Sequence, residues 1–233
     1  MSRITRKELK TDKFALEVEH GISFFEHHRN ETVKYGAIGI VALVLIFGYL
    51  YYYLPVQRRA RQASLTAAIR VQEAGVGQSG NGGLVFPTQE AKDQETLRVF
   101  GEVQAKYSGS AEGEIAQYYL GAIKADQGKL ADAEKAFQEV SQKGGEKYAA
   151  LSKLSLAQIY FSDGRADQGE KLLRDLIANP TVFVSSDQAT VLLARLMAPK
   201  KPAEARKLLE PLRTRLGHVG QIALSLLAEL PQQ

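Results

Sequence analysis

Three histidines, His20, His27 and His28, lie close together beside Glu17 and Glu31, the kind of imidazole–carboxylate set that can hold a metal ion or relay protons. Their spacing matches no catalytic zinc motif, so they are read as side chains at a membrane surface and no metal is expected. His218 stands alone at the start of a helical segment, without a second histidine to serve as a base. The run Gly75-Val76-Gly77-Gln78-Ser79-Gly80 fits the letters of a dinucleotide-binding fingerprint. That fingerprint works only between a strand and an immediately following helix, where phosphate meets the helix N-terminus. Here a helical pattern precedes it, Asn81-Gly82-Gly83 prolongs the loop, and no Lys-Ser/Thr follows, so a flexible loop is expected and no cofactor. The chain has no cysteine, which removes thiolate nucleophiles, thiolate zinc sites and disulfides together. Glu112, Glu114, Asp132, Glu134 and Glu139 fall at helix starts and solvated faces, where capping and solubility account for them. The sequence therefore points to binding and away from catalysis.

The 233 residues carry a formal net charge of +4. The excess sits in Arg3, Arg6, Lys7, Lys10 and Lys13 and in Arg58, Arg59 and Arg61, on both sides of an apolar segment. Lipid headgroups explain both clusters, and with no basic face interleaved with aromatics no nucleic-acid partner is expected.

That segment, Tyr35 to Leu54, reads YGAIGIVALVLIFGYLYYYL without one charge. Twenty residues rising about 1.5 Å each span the roughly 30 Å hydrocarbon layer. Tyr35 marks one interface and Tyr49, Tyr51, Tyr52 and Tyr53 the other, and Pro55 is expected to end the helix. A long polar lead and arginines in place of a small-x-small site argue for an uncleaved anchor over a cleaved signal. Seven Lys/Arg precede the span (Arg3, Arg6, Lys7, Lys10, Lys13, Arg29, Lys34) and four follow it closely (Arg58, Arg59, Arg61, Arg70), which favours the N-terminus inside and the large domain outside. In the lead, Phe14, Val18, Ile22 and Phe25 form one helical stripe, which either rests on the leaflet or docks a membrane partner. Four residues after Gly36, Gly39 and Ala42 come Ile40, Leu43 and Ile46, so no small-xxx-small dimer motif is present.

The later residues repeat with a period of thirty-six. Leu120, Leu156 and Leu192 share one register position, Ala133, Gly169 and Ala205 a second, and Phe137, Leu173 and Leu209 a third, while Gly128 aligns with Gly164. The periodicity predicts helix pairs at 114–127 with 130–143, 147–162 with 166–178, and 186–197 with 202–215, then a covering helix from His218 to Leu230. Small residues at the second position let paired helices approach, and the large apolar residue four positions later fills the adjoining gap. Ser185-x-x-Gln188 is a capping box that restarts the chain after Pro180.

The pattern Leu120-Gly121, Gly128, Ala133-x-x-x-Phe137 resembles the tetratricopeptide signature, and Leu156-Ala157, Tyr160, Gly164 and Leu173 keep it in the second copy. Lys106-Tyr107-Ser108-Gly109-Ser110 resembles the turn that joins such units, which predicts an irregular earlier unit: helix 58–74, a glycine-rich loop at 75–86, and helix 89–106. The expected organisation is 1–34 as an N-terminal segment, 35–54 as a membrane helix, 55–110 as linker helix and first unit, and 111–233 as three repeats with a cap. The resemblance implies an all-α, right-handed solenoid of helical hairpins on a single transmembrane helix. By analogy with tetratricopeptide domains, the inner face would be lined by Tyr118, Ala122, Leu154, Gln158, Phe161, Thr190, Ala194 and Arg195. Those positions would either bind a peptide or pack against the cap helix and the first unit. A short tail, one span and a small tetratricopeptide domain together are similar to the ancillary SecYEG translocon subunit family, whose domain also occurs in cell-division coordinators. That likeness implies an inner-membrane adaptor with its domain in the periplasm, binding the translocon, periplasmic chaperones or client proteins. The alternative is a structural scaffold for envelope or cell-division assembly that self-associates through its repeats.

Overall fold

The structure is a computed structural model and describes residues 29–77 and 83–231. The apolar stripe of Phe14, Val18, Ile22 and Phe25, the histidines His20, His27 and His28, and loop residues 78–82 lie outside these. Contacts divide the chain into two compact units, Met1–Arg59 and Ala60–Gln233.

In the first unit, α1 (Arg29–Gly48) leads into a π-helical turn, Tyr49–Tyr53. Its large apolar side chains, Ile38, Leu43, Val44 and Phe47 among them, are exposed throughout, and the helical run Val33–Gln72 is long and apolar enough to cross a membrane. Pro55 does not end it. The next helix, α2 (Leu54–Gln72), contains Pro55 near its start. In the π turn the Leu54 N–H donates to the Tyr49 carbonyl, one residue further back than an α-helix would reach. The missing Pro55 N–H therefore falls where the ladder changes step, the place a helix tolerates a proline without breaking.

In the second unit, α2 stops at Gln72, two residues before the expected end, and two short parallel strands, β1 (Gly75–Val76) and β2 (Val85–Phe86), pin the base of the glycine-rich loop. Gly75 N–H donates to the Leu84 carbonyl and Gly77 N–H to that of Phe86. Two-residue strands are too short to alternate visibly, so periodicity does not reveal them. Next come α3 (Gln89–Lys106), α4 (Ala111–Asp126), α5 (Leu130–Lys143), α6 (Glu146–Ser162), α7 (Ala166–Ala178), α8 (Ser186–Met197), α9 (Pro202–Leu209) and α10 (His218–Glu229). From α3 to α9 each helix packs chiefly on the next one along the chain, which is the arrangement of an all-α solenoid.

Local chemistry sets these bounds. The side chains of Thr88, Ser110 and Ser185 accept from the N–H groups of Ala91, Gly113 and Gln188, capping α3, α4 and α8. Gly128 and Gly164, one period apart, take φ of 75° and 77° after α4 and α6, a left-handed ending that only glycine adopts cheaply. The third pair is shorter than expected: α9 ends at Leu209 and passes into a single 3-10 turn, Glu210–Leu212, because Pro211 cannot donate to the helix ladder.

Two of the three register positions are buried in every copy, and the first, Leu120, Leu156 and Leu192, is buried only at Leu156. Ala133, Gly169 and Ala205 are buried, as are Phe137, Leu173 and Leu209. Four apolar clusters follow one another along the unit: Leu65 and Phe100 with Ala116, Phe137 with Leu156, Leu173 with Leu193, and Leu209 with Ala223 and Leu227. Polar contacts keep the same period. Gln117 on α4 reaches Glu139 on α5 at 3.2 Å, and thirty-six residues later Lys153 on α6 reaches Asp175 on α7 at 2.6 Å.

Candidate functional site

Tyr118 and Tyr119 of α4 and Tyr148 of α6, on the first helices of successive pairs, join phenylalanines from neighbouring elements in one run of aromatic rings. Phe100 on α3 stacks on Tyr119 of α4 with centroids 4.7 Å apart. Tyr118 meets Tyr119 at 5.7 Å, Phe137 of α5 at 5.6 Å, and Tyr148 of α6 at 5.4 Å. Tyr148 in turn meets Phe183, in the turn before α8, at 5.6 Å. Edge-on and tilted contacts predominate after the first, the geometry that aromatic quadrupoles favour.

One end of the run is buried and the other is open. Phe100 is fully buried, whereas Phe183 is 40% and its neighbour Val182 87% exposed. A tight turn holds them out: Thr181 N–H donates to the Val184 carbonyl, and Val184 N–H to the Thr181 hydroxyl, while Val184 itself is buried. The Lys147 ammonium stands 5.5 Å from the Phe183 ring centre. Burial, reinforced by the nearby Tyr119 hydroxyl, pushes the Tyr148 phenol up to about 12. Burial also raises Tyr118, opposed by a hydrogen bond with Ser155. Both rings thus stay uncharged, so the run offers apolar faces and neutral hydroxyls to a ligand.

The eight positions expected to line one groove do not share one surface. Tyr118 belongs to the aromatic run, with Ala122 beside it against the Phe137 cluster. Leu154 packs into the cluster around Leu173. Thr190 turns its hydroxyl to the Ser186 carbonyl of its own helix. Ala194 is 0% exposed, so it presents no surface to a ligand: the covering helix α10 packs on α8 and seals that side. Gln158, Phe161 and Arg195 come together elsewhere, around a cleft of about 320 Å3 between α7 and the C-terminal end of α8. Among the described residues, no three His, Asp or Glu side chains converge as metal ligands would.

Tyr148, Phe183 and Lys147 were not legible as site residues from spacing, since Phe183 lies in a connecting turn outside the repeat register. The available signal was the density of aromatics on the first helices, Tyr118 and Tyr119 on α4 and Tyr148, Tyr160 and Phe161 on α6.

A family model for the tetratricopeptide repeat-like domain matches residues 24–207. The chain belongs to that family. No curated protein matches it, and no solved structure does. Repeats of this family are protein-binding modules as a rule, and the tyrosines of the aromatic run lie on the first helices of a tetratricopeptide repeat-like stack, the run being reached from solvent through Val182 and Phe183.

Proposed function

We propose that this chain is a membrane-anchored adaptor whose tetratricopeptide repeat-like domain binds proteins at the periplasmic side of the inner membrane, ancillary to the secretion translocon or to periplasmic chaperones. The observation that carries the binding function is the aromatic run ending in exposed Phe183 and Val182 beside Lys147. Exposed apolar side chains grouped beside a cation are what a partner's extended or helical segment covers, and aromatic anchors dominate such contacts. Anchoring is supported by the exposed apolar helix and its tyrosines, and the periplasmic side by the basic excess before the span. A short tether holds the domain near its partners at an effective concentration of order millimolar, which suits weak, exchangeable contacts.

Two measurements test this. A reporter fused to the C-terminus should be active only outside the cytoplasm; activity inside removes the secretion role. Co-purification from mild detergent should recover translocon or periplasmic folding components from the natural chain and lose them with the Val182→Ser, Phe183→Ala double variant. Recovery of this chain alone counts against the adaptor and in favour of a self-associating scaffold.

A further inference from the structure

The cleft of about 320 Å3 at the junction of the second and third pairs has a floor made by Phe161, Leu196 and Met197 and a rim carrying the cations Arg195, Lys200 and Lys201 and the carboxylates Asp167 and Glu170. The thirty-six-residue period shows why it is there, because the same places can be read one repeat earlier. Leu196 corresponds to Tyr160, Ala166 to Leu130, and Lys201 to Arg165. At the earlier junction the Tyr160 ring fills the space, with the Arg165 guanidinium 4.4 Å from its centre and Gln138 donating to its hydroxyl at 3.1 Å. At the later junction a tyrosine has become leucine and a leucine alanine, while a cation is kept over the gap. The floor has changed as well. Phe161 stands where the first repeat has Ala125, and Gly169 where it has Ala133. A Cβ on Gly169 would come within 2.5 Å of the Phe161 ring, so the glycine is what lets that ring lie against α7.

We propose that this cleft binds an aromatic side chain of a partner peptide, in the place Tyr160 fills one repeat earlier, with a carboxylate beside it held by Arg195 and Lys200. Lys201 is already engaged with Glu170 at 3.4 Å. With Glu170 taken up by Lys201, the rim keeps two exposed cations, Arg195 and Lys200, against the one exposed carboxylate of Asp167; none of the three makes an ion pair among the described residues, so the cationic excess supplies the complementary charge. An aromatic ring under a cation gains both apolar burial and cation–π attraction. The site is separate from the aromatic run, and the choice of a peptide as occupant rests on the protein-binding reading above.

The chain contains no tryptophan, so the fluorescence of a probe peptide reports its own environment without background. The probe is a blocked acidic peptide with one central tryptophan, added to the full chain in detergent, with a lysine-flanked peptide of the same length for comparison. The acidic probe should shift its emission to the blue saturably below about 1 mM, in the range of weak specific contacts. Filling the cleft with the earlier repeat's residues, Ala166→Leu with Leu196→Tyr, should weaken it at least about tenfold while the circular-dichroism melt stays cooperative. Because that variant could misfold, the exposed pair Arg195→Glu with Lys200→Glu gives a second reading and should reverse the preference toward the lysine-flanked probe. No saturable shift in the natural chain, unchanged affinity in the filled variant, or an unaltered preference after charge reversal would each overturn the proposal. So would loss of the probe in the Val182→Ser, Phe183→Ala variant, which would return it to the aromatic run. Probe binding that persists while no partner co-purifies would sink the adaptor reading and leave the cleft standing.

Discussion

Glu134 on α5 grips the Arg165 guanidinium with both carboxylate oxygens, at 2.8 and 2.6 Å, and thirty-six residues later Glu170 on α7 holds Lys201 at 3.4 Å. The two pairs have the same separation along the chain and tie the second helix of one pair to the turn after the next helix. They are the polar counterpart of the apolar repeat, and a one-residue slip in the stack would break both.

The hydrogen bond from Arg165 holds the Glu134 carboxyl below its ordinary value, so the pair adds stability above the unfolded carboxylate range, near pH 4.3, and loses it as pH falls through the lower folded value. Glu134→Gln should therefore lower the melting midpoint by about 1–3 °C at pH 7, the effect of a partly exposed pair. Near pH 3 the difference should shrink. Thermal melts at the two pH values check this, and an equal deficit at both would contradict it.

Glycine to alanine should act in opposite directions at two helical sites. At Gly169 the new Cβ meets Phe161 at 2.5 Å and the Ala157 carbonyl at 2.9 Å, so overpacking should cost about 1–3 kcal/mol. At Gly101 in α3 an added Cβ would meet nothing within 4 Å among the described residues outside its own turn of helix, and the gain in helix propensity should stabilise by about 0.5–1 kcal/mol. Chemical denaturation of both variants decides the matter.

The Ser152 hydroxyl on α6 is fully buried and has no hydrogen-bond partner among the described residues. Ser152→Ala removes a desolvated polar group at little loss of volume and should raise stability by about 0.5–1 kcal/mol. A fall in the denaturation midpoint would show that the hydroxyl is satisfied in solution.

Tyr148, raised to about 12, is protonated more tightly in the folded chain than in the unfolded one. Its contribution is complete below the unfolded value near pH 10 and is lost as pH rises through the folded value. In an alkaline absorbance titration Tyr148→Phe should remove tyrosinate signal above pH 11 and leave the earlier part of the curve unchanged.

The helical register was readable from composition and spacing, because burial repeats wherever Ala133, Gly169 and Ala205 recur, and caps such as Ser185 have a local signature. Pro55 sits inside a continuing helix because a π turn just upstream changes what a proline costs, and no residue pattern announces that turn. The third pair fell short at Pro211, a signal present in the chain but outweighed by the apolar period around it. The candidate groove was less legible than the fold. Periodicity says which residues share a helix face, whereas Ala194 is hidden and Leu154 half-buried by what packs on that face, and Phe183 joins the run from a turn that obeys no period.

Because α3 to α9 pack on their neighbours along the chain, most native contacts close short loops. Each hairpin can form as soon as its own residues are available, without waiting for a distant strand or helix. A polypeptide delivered end-first, from a ribosome or through a narrow channel, can thus acquire structure in the order in which it emerges, and little apolar surface awaits a late-arriving mate.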